Sequence, residues 1–103
     1  MNWVGKWKNQ YGSILDITIQ EDNKLEGTLE PVEHELSGGQ KLSLVGVWEN
    51  NHIAVTCRQE GKHVITYAGM LYEGKMEATW FMVNGGVAWR EAIRTSVDTF
   101  ERQ

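Results

Sequence analysis

The chain has 103 residues, of which 41% are hydrophobic and 23% charged, with a formal net charge of -4. That is enough for one domain with its own core, and no apolar run approaches the roughly 18 residues that a membrane helix needs. Lys and Arg are scattered singly, so no basic stripe offers the counter-charge on which nucleic-acid binding depends. A single domain over residues 1–103 is expected, with neither nucleic acid nor membrane as partner.

Residues 3–9, 13–20 and 24–30 alternate apolar and polar side chains, the period of two that marks a half-buried strand. Gln10-Tyr11-Gly12 and Glu21-Asp22-Asn23, which separate them, have hairpin-turn chemistry. Residues 31–39 are polar, hold the one Pro and close with Ser37-Gly38-Gly39, which predicts the longest loop, placed to act as a lid. Strands follow over 41–48, 52–59, 62–71 and 75–83, and the last runs from Trp89 to about Glu101. Glu49-Asn50-Asn51, Glu60-Gly61, Tyr72-Glu73-Gly74 and Asn84-Gly85-Gly86 supply the turns. Trp89, Ala92, Ile93 and Ser96 are also spaced like a helix face, which allows a short helical turn before the final strand. The fold class predicted is all-β, an eight-stranded antiparallel up-and-down barrel. Eight is the strand number at which a closed barrel leaves room for one small ligand, and closure removes the sheet edges.

Five Trp and eleven Gly against one Pro fit that reading, since large aromatics need a core or a pocket and frequent Gly suits tight turns. Catalytic chemistry has little to stand on. His34, His52 and His63 lie on separate segments, no Ser occupies a nucleophile elbow, and the Gly pairs lack the helix and Lys of a phosphate loop. Cys57 has no partner for a disulfide and no neighbouring ligands for a metal, so it is read as a small buried apolar residue. Met1 runs into Asn2-Trp3-Val4 without the charged and apolar regions of a signal peptide. Localisation stays open: secreted or periplasmic if such a segment was removed before Met1, otherwise cytoplasmic.

The run Gly5-Lys6-Trp7-Lys8-Asn9-Gln10-Tyr11-Gly12-Ser13 resembles the opening of the avidin and streptavidin family, in which a G-x-W-x-N-x-x-G-S pattern joins the first two strands. Leu25-Glu26-Gly27-Thr28, Thr66-Tyr67-Ala68-Gly69 and Thr79-Trp80-Phe81-Met82 match in order. Asp98-Thr99-Phe100 is similar to the family's closing motif, with one residue more than usual after Trp89. The resemblance spans nearly the whole chain and implies a streptavidin-like barrel that binds biotin without catalysis and without a cofactor. It places Asn9 and Ser13 on the ureido oxygen of biotin, Asp98 on a ureido N–H, and Tyr67, Trp80 and Trp89 around the rings. A buried urea must have its donors and acceptors met, because each unpaired group costs about 1–3 kcal/mol. Trp89, which in tetrameric relatives completes the neighbouring subunit's pocket, implies a homotetramer first and a dimer second. Trp3, Trp7 and Trp48 are read as core or subunit packing.

The chain also departs from the pattern. Leu29 and Pro31 stand where the family has a tyrosine donor and a hydroxyl, and Ile65 and His63 replace hydroxyls on the ligand's sulfur and carboxylate side. Leu29, Ile65 and His63 are candidate ligand residues in their own right, with His63 set to meet an anionic tail if it points inward. Leu44-Val45-Gly46-Val47-Trp48 is placed on the fourth strand, which leaves Val55 or Cys57 at the family's fifth-strand pocket Trp. Extreme affinity is therefore not expected. The alternative function is an avidin-like barrel with weakened or lost biotin binding that takes another small ligand or serves as an oligomeric interaction module. A lipocalin-like carrier keeps the G-x-W opening but leaves the other matches unexplained.

Overall fold

The period-two pattern becomes eight antiparallel strands in the computed structural model, which describes residues 1–32, 40–84 and 93–103. They are β1 (Gly5–Asn9), β2 (Ile14–Glu21), β3 (Lys24–Glu30), β4 (Leu42–Glu49), β5 (His52–Gln59), β6 (His63–Tyr72), β7 (Lys75–Asn84) and β8 (Ile93–Arg102). Each strand pairs with the next, and β1 pairs with β8 with Trp7 opposite Arg102 and Asn9 opposite Phe100. The sheet closes on itself as the strand count led one to expect, and no ladder is left unpaired at an edge.

At one end of the barrel the connections are two-residue turns. Asp22, Asn50 and Glu73 take left-handed φ values of 55°, 53° and 51° there. Asp and Asn tolerate this region because their short polar side chains bond the nearby backbone. Glu73 is followed by Gly74 at φ 79°, and a pair of left-handed residues matches the twist of the two strands it joins. The connections from β3 to β4 and from β7 to β8 include residues 33–39 and 85–92, outside the described residues. The expected lid, His34 and Trp89 fall there. The helical spacing does not prevail where it can be checked: Arg94, Thr95 and Ser96 are extended, opposite Met82, Phe81 and Trp80.

Inward-facing Leu15, Ile17, Leu25, Leu29, Leu44 and Phe100 are buried along with Trp3 and Trp7. Each such aliphatic or Phe side chain contributes about 1.5–3 kcal/mol when fully buried. Trp3, just before β1 and earlier than the strand expected from residue 3, closes the end opposite the long loops. Its carbonyl accepts from Trp7 Nε1 at 3.0 Å, the two rings lie 5.9 Å apart, and the Arg102 guanidinium sits 4.2 Å from the Trp7 ring centre. That cation–π contact and the bonds from Arg102 to the Val4 and Asn2 carbonyls tie the last strand to the segment before the first.

Trp48 lies on β4, as the hairpin count required, and serves this same end. Its indole donates to the Asp22 carbonyl at 3.0 Å, while Asn23 Nδ2 donates to the Trp48 carbonyl at 2.9 Å. Val55 and Cys57 are buried on the inward face of β5, between Ile53 and Gln59. Burial pushes the Cys57 thiol up from 9.0 to about 12, because a thiolate there would lose its hydration. The folded state thus holds its proton where the unfolded chain gives it up. The contribution to stability is complete below about pH 9 and declines by about 1.4 kcal/mol per pH unit from there towards pH 12. Cys57→Ala is expected to flatten that alkaline decline, measured as melting temperature against pH, and thiol reagents should label the wild type only after unfolding.

Candidate ligand-binding site

The site begins with a strand ending. Asn9 is the last residue of β1, and its Oδ1 accepts the backbone N–H groups of Tyr11 at 3.0 Å and Ser13 at 2.9 Å. This arrangement terminates the strand and shapes the turn into β2, which is why an Asn followed by a Gly turn works at this position. It also fixes the amide so that Nδ2 points the other way and donates to Asp98 Oδ2 at 3.0 Å. One Nδ2 hydrogen meets Asp98, and the geometry leaves the second for another acceptor.

Gln10 braces the same carboxylate. Its Nε2 donates to Asp98 Oδ1 and to the Val97 carbonyl, both at 3.3 Å, and its Oε1 accepts the Thr99 N–H at 2.9 Å. Sequence reasoning passed over Gln10 as turn chemistry, and nothing local marks it, since its partners lie 87 to 89 residues away. Asp98 itself is 3% exposed and held by two neutral amides. Each of its oxygens therefore keeps accepting capacity for a further donor. Ser13, 2% exposed, accepts at Oγ from the Val32 N–H at 3.1 Å, which anchors the chain leaving β3 beside the turn.

Ser13 and Asp98 face a cavity of about 90 Å³ whose other lining residues are Leu29, Pro31, Ile65, Tyr67, Trp80 and Met82. Register explains the grouping. Tyr67 is opposite Trp80 and Ile65 opposite Met82 across β6 and β7, so alternate residues of both strands face inward together. Tyr67 stands edge-on to Phe100, with ring centres 5.4 Å apart, which holds its ring upright against β8. The cavity thus pairs a polar wall from β8 and the β1–β2 turn with an apolar and aromatic wall from β3, β6 and β7.

No protein-family model matches the chain, and no curated protein matches it. Solved structures do. Bradavidin2 in complex with biotin aligns with a TM-score of 0.87 over 100% of this chain and 99% of that one, at 16% identity. A single-site variant of shwanavidin in complex with biotin gives 0.84 over 100% and 99%, at 18% identity. Bradavidin gives 0.84 over 95% of this chain and 78% of that one, at 21% identity. The chain has the avidin fold.

Within this avidin-fold barrel the residues singled out from the sequence are distributed as follows. Ser13, Tyr67, Trp80 and Asp98 share the cavity with Leu29 and Ile65, while Asn9 stands behind Asp98 and reaches it through its amide. Leu29 and Pro31 are buried in the cavity wall, so the apolar replacements noted in the sequence change its lining directly. His63 lies on the inward face of β6, beyond Ile65 toward the open end. Trp89 lies outside the described residues. Met82 is a lining residue that the motif containing it pointed to only through its spacing of two from Trp80. Neither Trp48, Val55 nor Cys57 is among the lining residues, so the β5 wall of this avidin-fold cavity has no aromatic side chain.

Proposed function

We propose that this chain is a non-enzymatic binder of biotin, held in the barrel cavity with its ureido group against Asn9, Ser13 and Asp98. The observation that carries the reading is one cavity in which a buried carboxylate and a buried hydroxyl lie opposite Tyr67 and Trp80, with an oriented amide bonded to the carboxylate from behind. A cyclic urea presents one carbonyl acceptor flanked by two N–H donors, and this polar wall offers the matching donors and acceptor. Trp89 joins the site in this reading on the strength of the resemblance. Asp98 is held by amides that orient an acceptor without relaying a proton, which suits binding rather than turnover.

Leu29, Pro31 and Ile65 lower the expected affinity. Each hydrogen bond they fail to supply to a buried polar group costs about 1–3 kcal/mol, and 1.4 kcal/mol is tenfold. The same three residues favour the second reading, a barrel that has kept this fold for another small ligand with a more apolar body.

Assembly into a homo-oligomer, a tetramer before a dimer, completes the proposal. Its support is the outer surface of β4 to β8. Val45, Val47, Phe81, Val83 and Val97 are 47–66% exposed there, beside the uncharged Ala54, Thr56, Thr66 and Thr79. Contiguous exposed apolar surface of this kind marks contact faces. Isothermal titration with biotin, on protein whose mass is read by light scattering, tests both parts. One biotin per chain and a mass of four or two chains are expected. Absence of heat and of any melting shift would overturn the biotin reading in favour of the second, and a monomeric mass would remove the assembly.

A further inference from the structure

The chain has four methionines, and the fold separates them by how a dissolved oxidant can reach each thioether. Met76 is fully buried, Met1 and Met70 are 48% and 39% exposed, and Met82 is partly buried with its side chain in the cavity wall. Neither Met1 nor Met70 lines that cavity, so Met82 alone among the four combines partial exposure with a place beside the ligand. Across the β6–β7 ladder it is opposite Ile65, and Trp80 lies two positions away on the same face of its own strand. The aliphatic lining of the cavity, Leu29, Pro31 and Ile65, carries no side-chain hydrogen-bond donor. The chain's one thiol does not compete for the oxidant. Cys57 is fully buried, and burial pushes its thiol up to about 12, which keeps it protonated and sheltered.

We infer that Met82 is a modification site, and that its oxidation to the sulfoxide by a peroxide reversibly closes the cavity to ligand. The inference rests on the biotin reading for what occupies the cavity, whereas the reaction itself needs only the reachable thioether. In that reaction the Met82 sulfur attacks one oxygen of hydrogen peroxide, an S–O bond forms as the O–O bond breaks, and the second oxygen leaves as water with both hydrogens. Sulfur loses two electrons and the peroxide gains them, and sulfoxide reductases reverse the change. A flexible apolar side chain thereby becomes a polar one. In a cavity of about 90 Å³ the added oxygen takes space from the ligand, and Leu29, Pro31 and Ile65 offer it no hydrogen bond. An apolar ligand body packed against it would strip its water without replacement, so the oxidised wall favours the empty cavity.

The test treats wild type and Met82→Leu with hydrogen peroxide, with and without saturating biotin, and removes the oxidant with catalase. Each methionine is then read by peptide mass spectrometry, and the protein treated without biotin is taken to thermal melts and biotin calorimetry. Met82 is expected to oxidise faster than Met76, and biotin should slow Met82 while leaving Met1 unchanged. The treated wild type should keep its melt, bind biotin at least tenfold more weakly, and recover after incubation with methionine sulfoxide reductases. Met82→Leu, which nearly conserves volume, should show the same affinity before and after treatment. Oxidation of Met82 no faster than that of Met76 would overturn the assignment, as would unchanged affinity once Met82 is oxidised, an equal loss in treated Met82→Leu, or a collapsed melt. An untreated, folded wild type that binds no biotin would instead overturn the biotin reading and the occupant named here, while the mass spectra still decide whether Met82 is the modification site.

Discussion

Asp98→Ala is expected to weaken biotin binding about a hundredfold while the barrel stays folded. Hydrogen bonds to a charged group are worth about 1.5–3 kcal/mol, and the substitution removes the acceptor for a ligand N–H outright. It also leaves Asn9 Nδ2, which donates to Asp98 Oδ2 at 3.0 Å, without that partner beside the ligand. About 2.8 kcal/mol corresponds to that hundredfold. Stability should respond much less. The variant strands the amides of Asn9 and Gln10, but it also removes a carboxylate that folding had taken out of water, and these effects oppose each other. Asp98→Asn keeps the shape and loses the charge, so its affinity should fall between wild type and Asp98→Ala. Titration calorimetry paired with thermal melts reads both quantities. Unchanged affinity in Asp98→Ala would sink the ureido assignment, and a collapsed melt would place Asp98 in the structural frame instead.

Gly27→Ala should be the most damaging one-carbon change to the fold. Gly27 lies on β3 opposite Ile17, where the register of the β2–β3 ladder shifts between Ile17 and Ile19. The neighbouring backbone lies close, and a Cβ at Gly27 would overlap the Asp16 carbonyl oxygen and stand 2.9 Å from the Asp16 carbonyl carbon. Both obstacles are main chain, so no side-chain rotation relieves them. Alanine normally stabilises a strand relative to glycine by about 0.5–1 kcal/mol. Here overpacking outweighs that gain, and a net loss of about 3 kcal/mol is expected. For a domain of this size the melting temperature should fall by more than about 10 °C. Gly61→Ala is the control: a Cβ there meets nothing within 4 Å, and only the left-handed φ of 75° opposes it. That substitution should cost about 1 kcal/mol. Equal melts for the two variants would show that the close approach at Gly27 relaxes freely.

Why the barrel was so legible follows from how local its signals are. Alternation with a period of two and turn dipeptides such as Glu73-Gly74 act within a few residues, and they place the boundaries of the first seven strands within one or two positions of those observed. The pocket departures were equally readable. Leu29 and Ile65 share the inward parity of Leu25 on β3 and Tyr67 on β6, Pro31 follows the end of β3 by one residue, and all three line the cavity. The helical spacing around Ser96 misled because four residues suffice to mimic it, whereas the ladder with β7 decides the conformation of Arg94 to Ser96.

By itself, then, the sequence determined the number, order and inward face of the strands, because these depend on residue type and near neighbours. Closure decided the rest. Only the pairing of β8 with β1 brings Asp98 to Asn9 and Gln10, nearly ninety residues away, and turns a turn glutamine into a brace for a buried carboxylate. The pairing of β4 with β3 likewise sent Trp48 to the Asp22 turn rather than to the cavity. The physical reason is that side-chain direction alternates along each strand by local geometry, while which strands face one another across the interior is set by tilt and stagger of the whole closed sheet.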